Sequence, residues 1–244
     1  MDPESERIQR KISDRFKLKR IELRRSNMPS PTDEEIDKLL KTAKDGYGIL
    51  YGKKTCGFLR RRWWGYIYYL RILVPFSLGV RTSEAVFLQR GDFDLDKGRV
   101  MVDKAYTKSG EPKRGSVGTQ PLNKTTKACF REAFDALDLK DDDFVLSGSP
   151  DYIRPGMLRF SFKEVAKATG LDPKRFFPYM GRYKYGTAVK RFTKDDVMAA
   201  SALRHRDRGE TFRTSYDRFT EDERNQAIAE AIDYLPPPPD EDSP

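Results

Sequence analysis

The chain has 244 residues but only one histidine, His205, and two cysteines, Cys56 and Cys129. A single imidazole excludes zinc sites built on two or more histidines, and two cysteines so far apart form neither a metal cluster nor a disulfide framework. Any Ser-His-Asp machinery would have to use His205, yet no G-x-S-x-G turn accompanies it. Walker and dinucleotide-binding glycine loops are missing as well. The default is a mechanism without metal or cofactor. No apolar run approaches the ~18–20 residues of a membrane span. The nearest, WWGYIYYLRILVPFSLGV, is broken by Arg71 and Pro75 and reads as a buried helix. The opening MDPESERIQRK lacks the apolar core of a signal peptide. Sparse cysteine suits a reducing compartment, so the expected location is intracellular.

What the chain has in quantity is charge. Lysine and arginine outnumber the acids to give a formal net charge of +9, while 37% hydrophobic residues leave enough material for a packed core. A basic surplus of this size favours a polyanionic partner, of which nucleic acid is the commonest.

Residues 1–30 read as a short basic helix and linker, with Ile8, Ile12 and Phe16 at four-residue spacing. Thr32 or Asp33 then caps a helix through about Lys44, with Glu34 and Glu35 suiting its first turn. A long apolar helix is predicted over about Phe58–Leu78, followed by a short one in GVRTSEAVFLQ. Residues 92–122 read as two or three strands with tight turns. Further helices are predicted at about Lys124–Leu137, Met157–Thr169, Pro178–Arg191 and Lys194–Arg204. An amphipathic helix over 221–234 and a disordered acidic, proline-rich tail over 236–244 close the chain. The fold class is mainly α with a small antiparallel β-sheet (α+β).

Four charged islands stand out against this background. In LGVRTSEAVFLQRGDFDL, Arg81 and Glu84 share a helix face, so the carboxylate can orient the guanidinium. An ordinary surface ion pair is the bland alternative. In AYTKSGEPKR, Lys108 sits at a turn between strands, with Lys104 as a rival for the same role. In PYMGRYKYGTAV, Arg182 follows Tyr179 by three residues, in a helix that also carries Tyr183 and Tyr185. Alternating aromatics and bases suit a nucleic-acid surface, and aromatics at helical spacing suit a core. Finally, LRHRDRGETFRTSYDRF holds His205 and, eleven positions on, Tyr216.

Taken in order, the islands resemble the catalytic domain of the tyrosine recombinases, the phage and viral integrase family. GVRTSEAVFLQRGDFDL is similar to that family's first arginine box, TKSG to its hairpin-lysine turn, YMGRYKYGT to its H-x-x-R box, and ALRH…T…Y to its closing L-G-H…T…Y motif. The resemblance spans about residues 31–235. It implies a site-specific DNA recombinase that cuts and rejoins strands through a 3′-phosphotyrosine link, without metal or ATP. Tyr216 is then the nucleophile, Arg81 and Arg182 grip the phosphate, Lys108 protonates the departing 5′ oxygen, and His205 donates a hydrogen bond. The implied partner is double-stranded DNA at attachment sites, bound by a tetramer. The stripe Ala227, Ile228, Ala231, Ile232 and Leu235 then docks in trans on a neighbour, or else packs on its own domain.

Three positions depart from the family pattern. Tyr179 stands where the family has histidine, Arg204 rather than glycine precedes His205, and the interval to Tyr216 is longer than usual. Two rival readings are a type IB topoisomerase and a catalytically inert DNA-binding relative. The topoisomerases surround their tyrosine with S-K-x-x-Y, unlike the RTSYDRF found here.

Overall fold

A computed structural model describes residues 30–45, 58–107, 109–112, 117–204, 225–226, 228–230 and 232, excluding the side chains of 58–61 and 196. The expected N-terminal helix, the acidic tail, Lys108, His205 and Tyr216 lie outside the described residues.

The helix α1 (Asp33–Asp45) starts where the sequence says it should. The Thr32 hydroxyl accepts from the Glu35 backbone N–H (3.2 Å), and the Glu35 carboxylate accepts from the Thr32 N–H (3.0 Å). This reciprocal pair satisfies two donors that have no partner within the helix. Ile36, Leu39, Leu40 and Ala43 then bury one face against α2 (Phe58–Leu78).

α2 is the central pillar. From Gly65 to its end every residue is buried, and it packs on α1, α4 (Lys124–Leu137), α5 (Pro155–Ala168) and α6 (Pro178–Thr193). Only a helix apolar all round can be surrounded in this way. Its one buried charge, Arg71, donates to the Leu146 carbonyl (2.9 Å) and the Ser161 hydroxyl (3.1 Å).

Between α2 and α4 lie the short helix α3 (Thr82–Ala85) and a 3₁₀ turn (Arg90–Asp92). The strands β1 (Phe93–Asp94), β2 (Arg99–Val102) and β3 (Gly118–Pro121) follow, antiparallel and in sequential order. β2 alternates, with Val100 and Val102 turned inward and Arg99 and Met101 outward. After α6, Asp195 caps α7 (Asp196–Ala202) by accepting from Val197 and Met198. Beyond it, Ile228 and Ile232 are buried with Tyr185, Val189, Met198, Ala199 and Ala202 of the same chain. Of the two placements left open for the C-terminal stripe, its described residues pack on their own domain.

Close backbone approach fixes α6 against α2. Pro75 lies inside α2, and a Cβ on Gly181 would fall 2.5 Å from the Pro75 carbonyl carbon. That clash is with main chain, which no rotamer change relieves. Gly181→Ala is therefore expected to cost about 2–3 kcal/mol and to lower Tm by roughly 5–10 °C. Gly156, in α5, has open space where its Cβ would be, and Gly156→Ala should stabilise slightly. Paired thermal melts decide the point, and equal Tm values for the two variants would rule out the close approach.

Candidate active site

Three elements converge on one small volume: the start of α3, the second turn of α6 and the end of α7. Arg81 occupies the N-cap of α3 in an extended conformation, with Glu84 at the third helical position. Glu84 reaches back so that its Oε2 accepts from the Arg81 backbone N–H (2.7 Å) and its Oε1 from Arg81 Nη1 (2.7 Å). Glu84 is buried, whereas the Arg81 side chain keeps 26% exposure. The open arginine is thus held from behind by a carboxylate that solvent does not reach. This agrees with the orienting role expected of Glu84 and goes beyond an exposed surface pair.

Glu84 has a second cation. Arg204 Nη2 donates to its Oε2 at 2.5 Å, with both side chains buried. Burial alone would push the Glu84 carboxyl upward, but the charges of Arg204 and Arg81 and the hydrogen bonds from Arg81 outweigh it. Its pKa sits below the ordinary value, and the group is ionised at neutrality.

Arg182 is 2% exposed and is held by main chain. Nη1 donates to the Gly79 carbonyl at 2.5 Å, and Nη2 donates to the Leu203 carbonyl. Gly79 follows the last residue of α2, and Leu203 follows the last residue of α7. The negative ends of two helix dipoles therefore face this cation. Burial and the nearby Arg81 charge bring its pKa down to about 10, so it stays cationic at neutral pH.

Small residues make this seat possible. Gly79 adopts φ 58°, and a Cβ there would meet the Tyr185 ring at 2.6 Å. Tyr185 is fully buried and donates to Gln120 Oε1 (3.1 Å), whose Nε2 donates to the Ala202 carbonyl (2.8 Å). The carbonyls of Ala202 and Leu203 are thus fastened by Gln120 and Arg182, immediately before His205.

The structure brings Arg81 and Arg182 together around Glu84 and Arg204. Tyr179 lies on the first turn of α6, three residues before Arg182, and is 56% exposed. Lys104 is engaged elsewhere, donating to Gln89 Oε1 (2.8 Å) and lying 3.6 Å from Asp92. Gly110, two positions after Lys108 in the sequence, takes φ 75°, and its N–H donates to the Thr107 carbonyl (3.2 Å). Tyr106 is tied to α3, because its N–H donates to the Ser83 carbonyl (2.7 Å). Of the surface and core readings open to the aromatics of α6, Tyr185 takes the core. Gln120 and Arg204 are the contributors that sequence reasoning missed. Gln120 carries no local signal. Arg204 was visible only as a residue standing where glycine is usual.

Chemically, three guanidiniums against one carboxylate leave a net positive cluster in which Arg81 is the partly exposed member. Planar forks of this kind suit the non-bridging oxygens of a phosphodiester. Among the described residues, no cluster of histidine, cysteine or carboxylate could hold a metal ion.

No family model and no curated protein matches the chain. Solved structures do. The chain is similar to XerA recombinase, at TM-score 0.54 and 16% identity over 84% of this chain and 64% of that one. It is also similar to the integrase of mycobacterium phage Brujita, at TM-score 0.50 and 16% identity over 83% of this chain and 59% of that one. A third structure, the Tn1549 transposon integrase in complex with transposon right end DNA, aligns at TM-score 0.43 and 18% identity over 75% of this chain and 62% of that one. The mainly helical architecture with its three-stranded antiparallel sheet is the tyrosine recombinase catalytic-domain fold. The chain spans about three fifths of the length of these proteins.

Proposed function

We propose that the protein is a site-specific DNA recombinase of the tyrosine type. The observation that carries the reading is the convergence on Arg81. Arg204 and Tyr106, close in sequence to His205 and Lys108 respectively, are both fastened to α3, beside Arg81 and at the buried Glu84.

In the proposed reaction the Tyr216 oxygen attacks the scissile phosphorus, and the P–O5′ bond breaks as the P–O(Tyr) bond forms. Lys108 supplies the proton to the leaving 5′ oxygen, and the phenolic proton passes to solvent. The pentacoordinate transition state carries more negative charge on its non-bridging oxygens than the ground state does. Preorganised cations at Arg81 and Arg182, with a hydrogen bond from His205, stabilise that difference. Attack by a 5′ hydroxyl from a second strand reverses the steps and rejoins the DNA. The phosphotyrosine link conserves the bond energy, so neither metal nor ATP is required. Recombination needs four protomers on two DNA sites. If the C-terminal segment docks in trans, the surface it takes on a neighbour is the one Ile228 and Ile232 occupy here in cis.

The test uses nicked suicide oligonucleotides from a candidate attachment site, with a denaturant-resistant protein–DNA adduct as the readout. Relaxation of supercoiled DNA without site preference would assign the chain to the topoisomerases, and binding without covalent capture would make it an inert relative.

Tyr179 gives a finer prediction. A phenol donates a hydrogen bond to a phosphate but is a poor base at neutral pH, unlike imidazole. Tyr179→Phe should slow adduct formation only about two- to tenfold, the scale of one lost hydrogen bond. Tyr179→His should be tolerated or faster. A histidine variant that folds and binds DNA but forms no adduct would remove Tyr179 from the site.

A further inference from the structure

Arg204 is an improbable residue for its conformation. Its φ is 52°, in the left-handed region that glycine occupies freely and side chains with a Cβ disfavour. The strained residue nevertheless keeps a long, charged side chain, and that side chain is turned inward, 8% exposed, beside β3. A Cβ on Gly118 would lie 3.6 Å from Arg204 Cδ, ordinary van der Waals contact, so the side chain runs alongside the strand. Its guanidinium ends on Glu84 Oε2, the oxygen that also accepts the Arg81 backbone N–H. On the main-chain side, the neighbouring Leu203 carbonyl accepts from Arg182. Residues 203 and 204 therefore reach both arginines, Leu203 directly through its carbonyl to Arg182 and Arg204 through Glu84 to Arg81.

Resting on the recombinase reading, we propose that Arg204 is a positioning residue. It clamps Glu84 at Oε2 while the Arg81 guanidinium takes Oε1, so that the carboxylate holds the Arg81 fork in one orientation toward the phosphate. The Arg204 guanidinium ends on Glu84. Its effect passes through Glu84. With glycine at this position the chain would turn without strain, but Glu84 would be fixed only by the residue it is meant to orient. A carboxylate held on both sides has fewer orientations available, and a misplaced donor loses most of its effect on a transition state. The same ion pair draws the end of α7, and with it the segment entering His205, onto the start of α3.

Arg204→Gly and Arg204→Asn separate this role from simple stability, because both residues tolerate a positive φ. The full chain is used throughout. Single-turnover adduct formation at saturating DNA should fall at least tenfold in both variants, with Kd for duplex DNA within about threefold of the parent. Arg204→Gly combined with Glu84→Gln should be no slower than the slower single variant, since both act through one carboxylate. Independently of any reaction, the Arg81 side-chain N–H resonance in ¹⁵N-arginine-labelled protein, assigned with Arg81→Lys, should broaden or average when Arg204 is replaced. Parental cleavage rates, multiplicative effects in the double variant, or an unaltered Arg81 resonance would each overturn the role. Failure of both Arg204 variants to fold would reduce Arg204 to a structural strut and overturn it as well. If the parent chain forms no adduct on any DNA, the recombinase reading fails, while the Arg81 resonance still decides whether Arg204 positions that side chain.

Discussion

Replacing Tyr216 with phenylalanine should abolish the covalent protein–DNA adduct. Without the phenolic oxygen of the proposed nucleophile there is no atom to form the P–O bond. DNA affinity should stay within about fivefold, because a neutral hydroxyl's hydrogen bond is worth only ~1 kcal/mol net. Denaturing electrophoresis of suicide-substrate reactions reads the first quantity and equilibrium binding the second. An adduct that persists in the variant would place the nucleophile on another tyrosine. Tyr179 and Tyr183 are then the candidates, both more than half exposed. Tyr185 is not, since it is fully buried with its hydroxyl on Gln120.

The second large effect belongs to Arg182, and it should differ in kind from that of Arg81. Arg182→Ala removes a preorganised cation, so adduct formation should fall on the order of 10²-fold or more. It also leaves the Gly79 and Leu203 carbonyls without their donor, which is expected to cost about 1–3 kcal/mol for each buried acceptor. Loss of rate and loss of Tm should therefore come together. Arg81→Ala should lose rate on the same scale with a smaller change in Tm, because its side chain is partly open to solvent. Arg182→Lys keeps the charge but cannot reproduce a planar fork spanning two carbonyls, and it too should be at least 10²-fold slow. A fully active Arg182→Lys variant would mean that charge alone matters at this position.

The helices were legible because their signals are local. Asn123 caps α4 by accepting from Thr126, at the predicted start, and Pro178 opens α6 as a first-turn proline does. Thr32 and Glu35 mark the start of α1 in the same way. The Arg81–Glu84 pair was legible for the same reason, since three-residue spacing puts the two on one helix face. What connects the islands was not. The reach of Arg204 to Glu84 spans 120 positions of sequence, and it depends on a positive φ that no residue type announces. Tyr185 was ambiguous because an aromatic at helical spacing serves a core or a surface equally well. Only the packing of Gly79 beneath its ring decides between them.

A point mutation exchanges side chains and leaves the peptide oxygens behind. The two atoms that receive Arg182 are peptide oxygens, so its seat is defined by the course of the backbone and not by the identity of the residues around it. Such a seat outlasts extensive replacement of the surrounding side chains, provided two junctions, at the ends of α2 and α7, keep their paths. Vulnerability moves accordingly to residues that face no DNA. A Cβ on Gly79, Gly181 or Gly186 would strike the Tyr185 ring, the Pro75 main chain or the Leu203 side chain, respectively. Those joints, lacking any side chain, are positions where this protein has little freedom to vary.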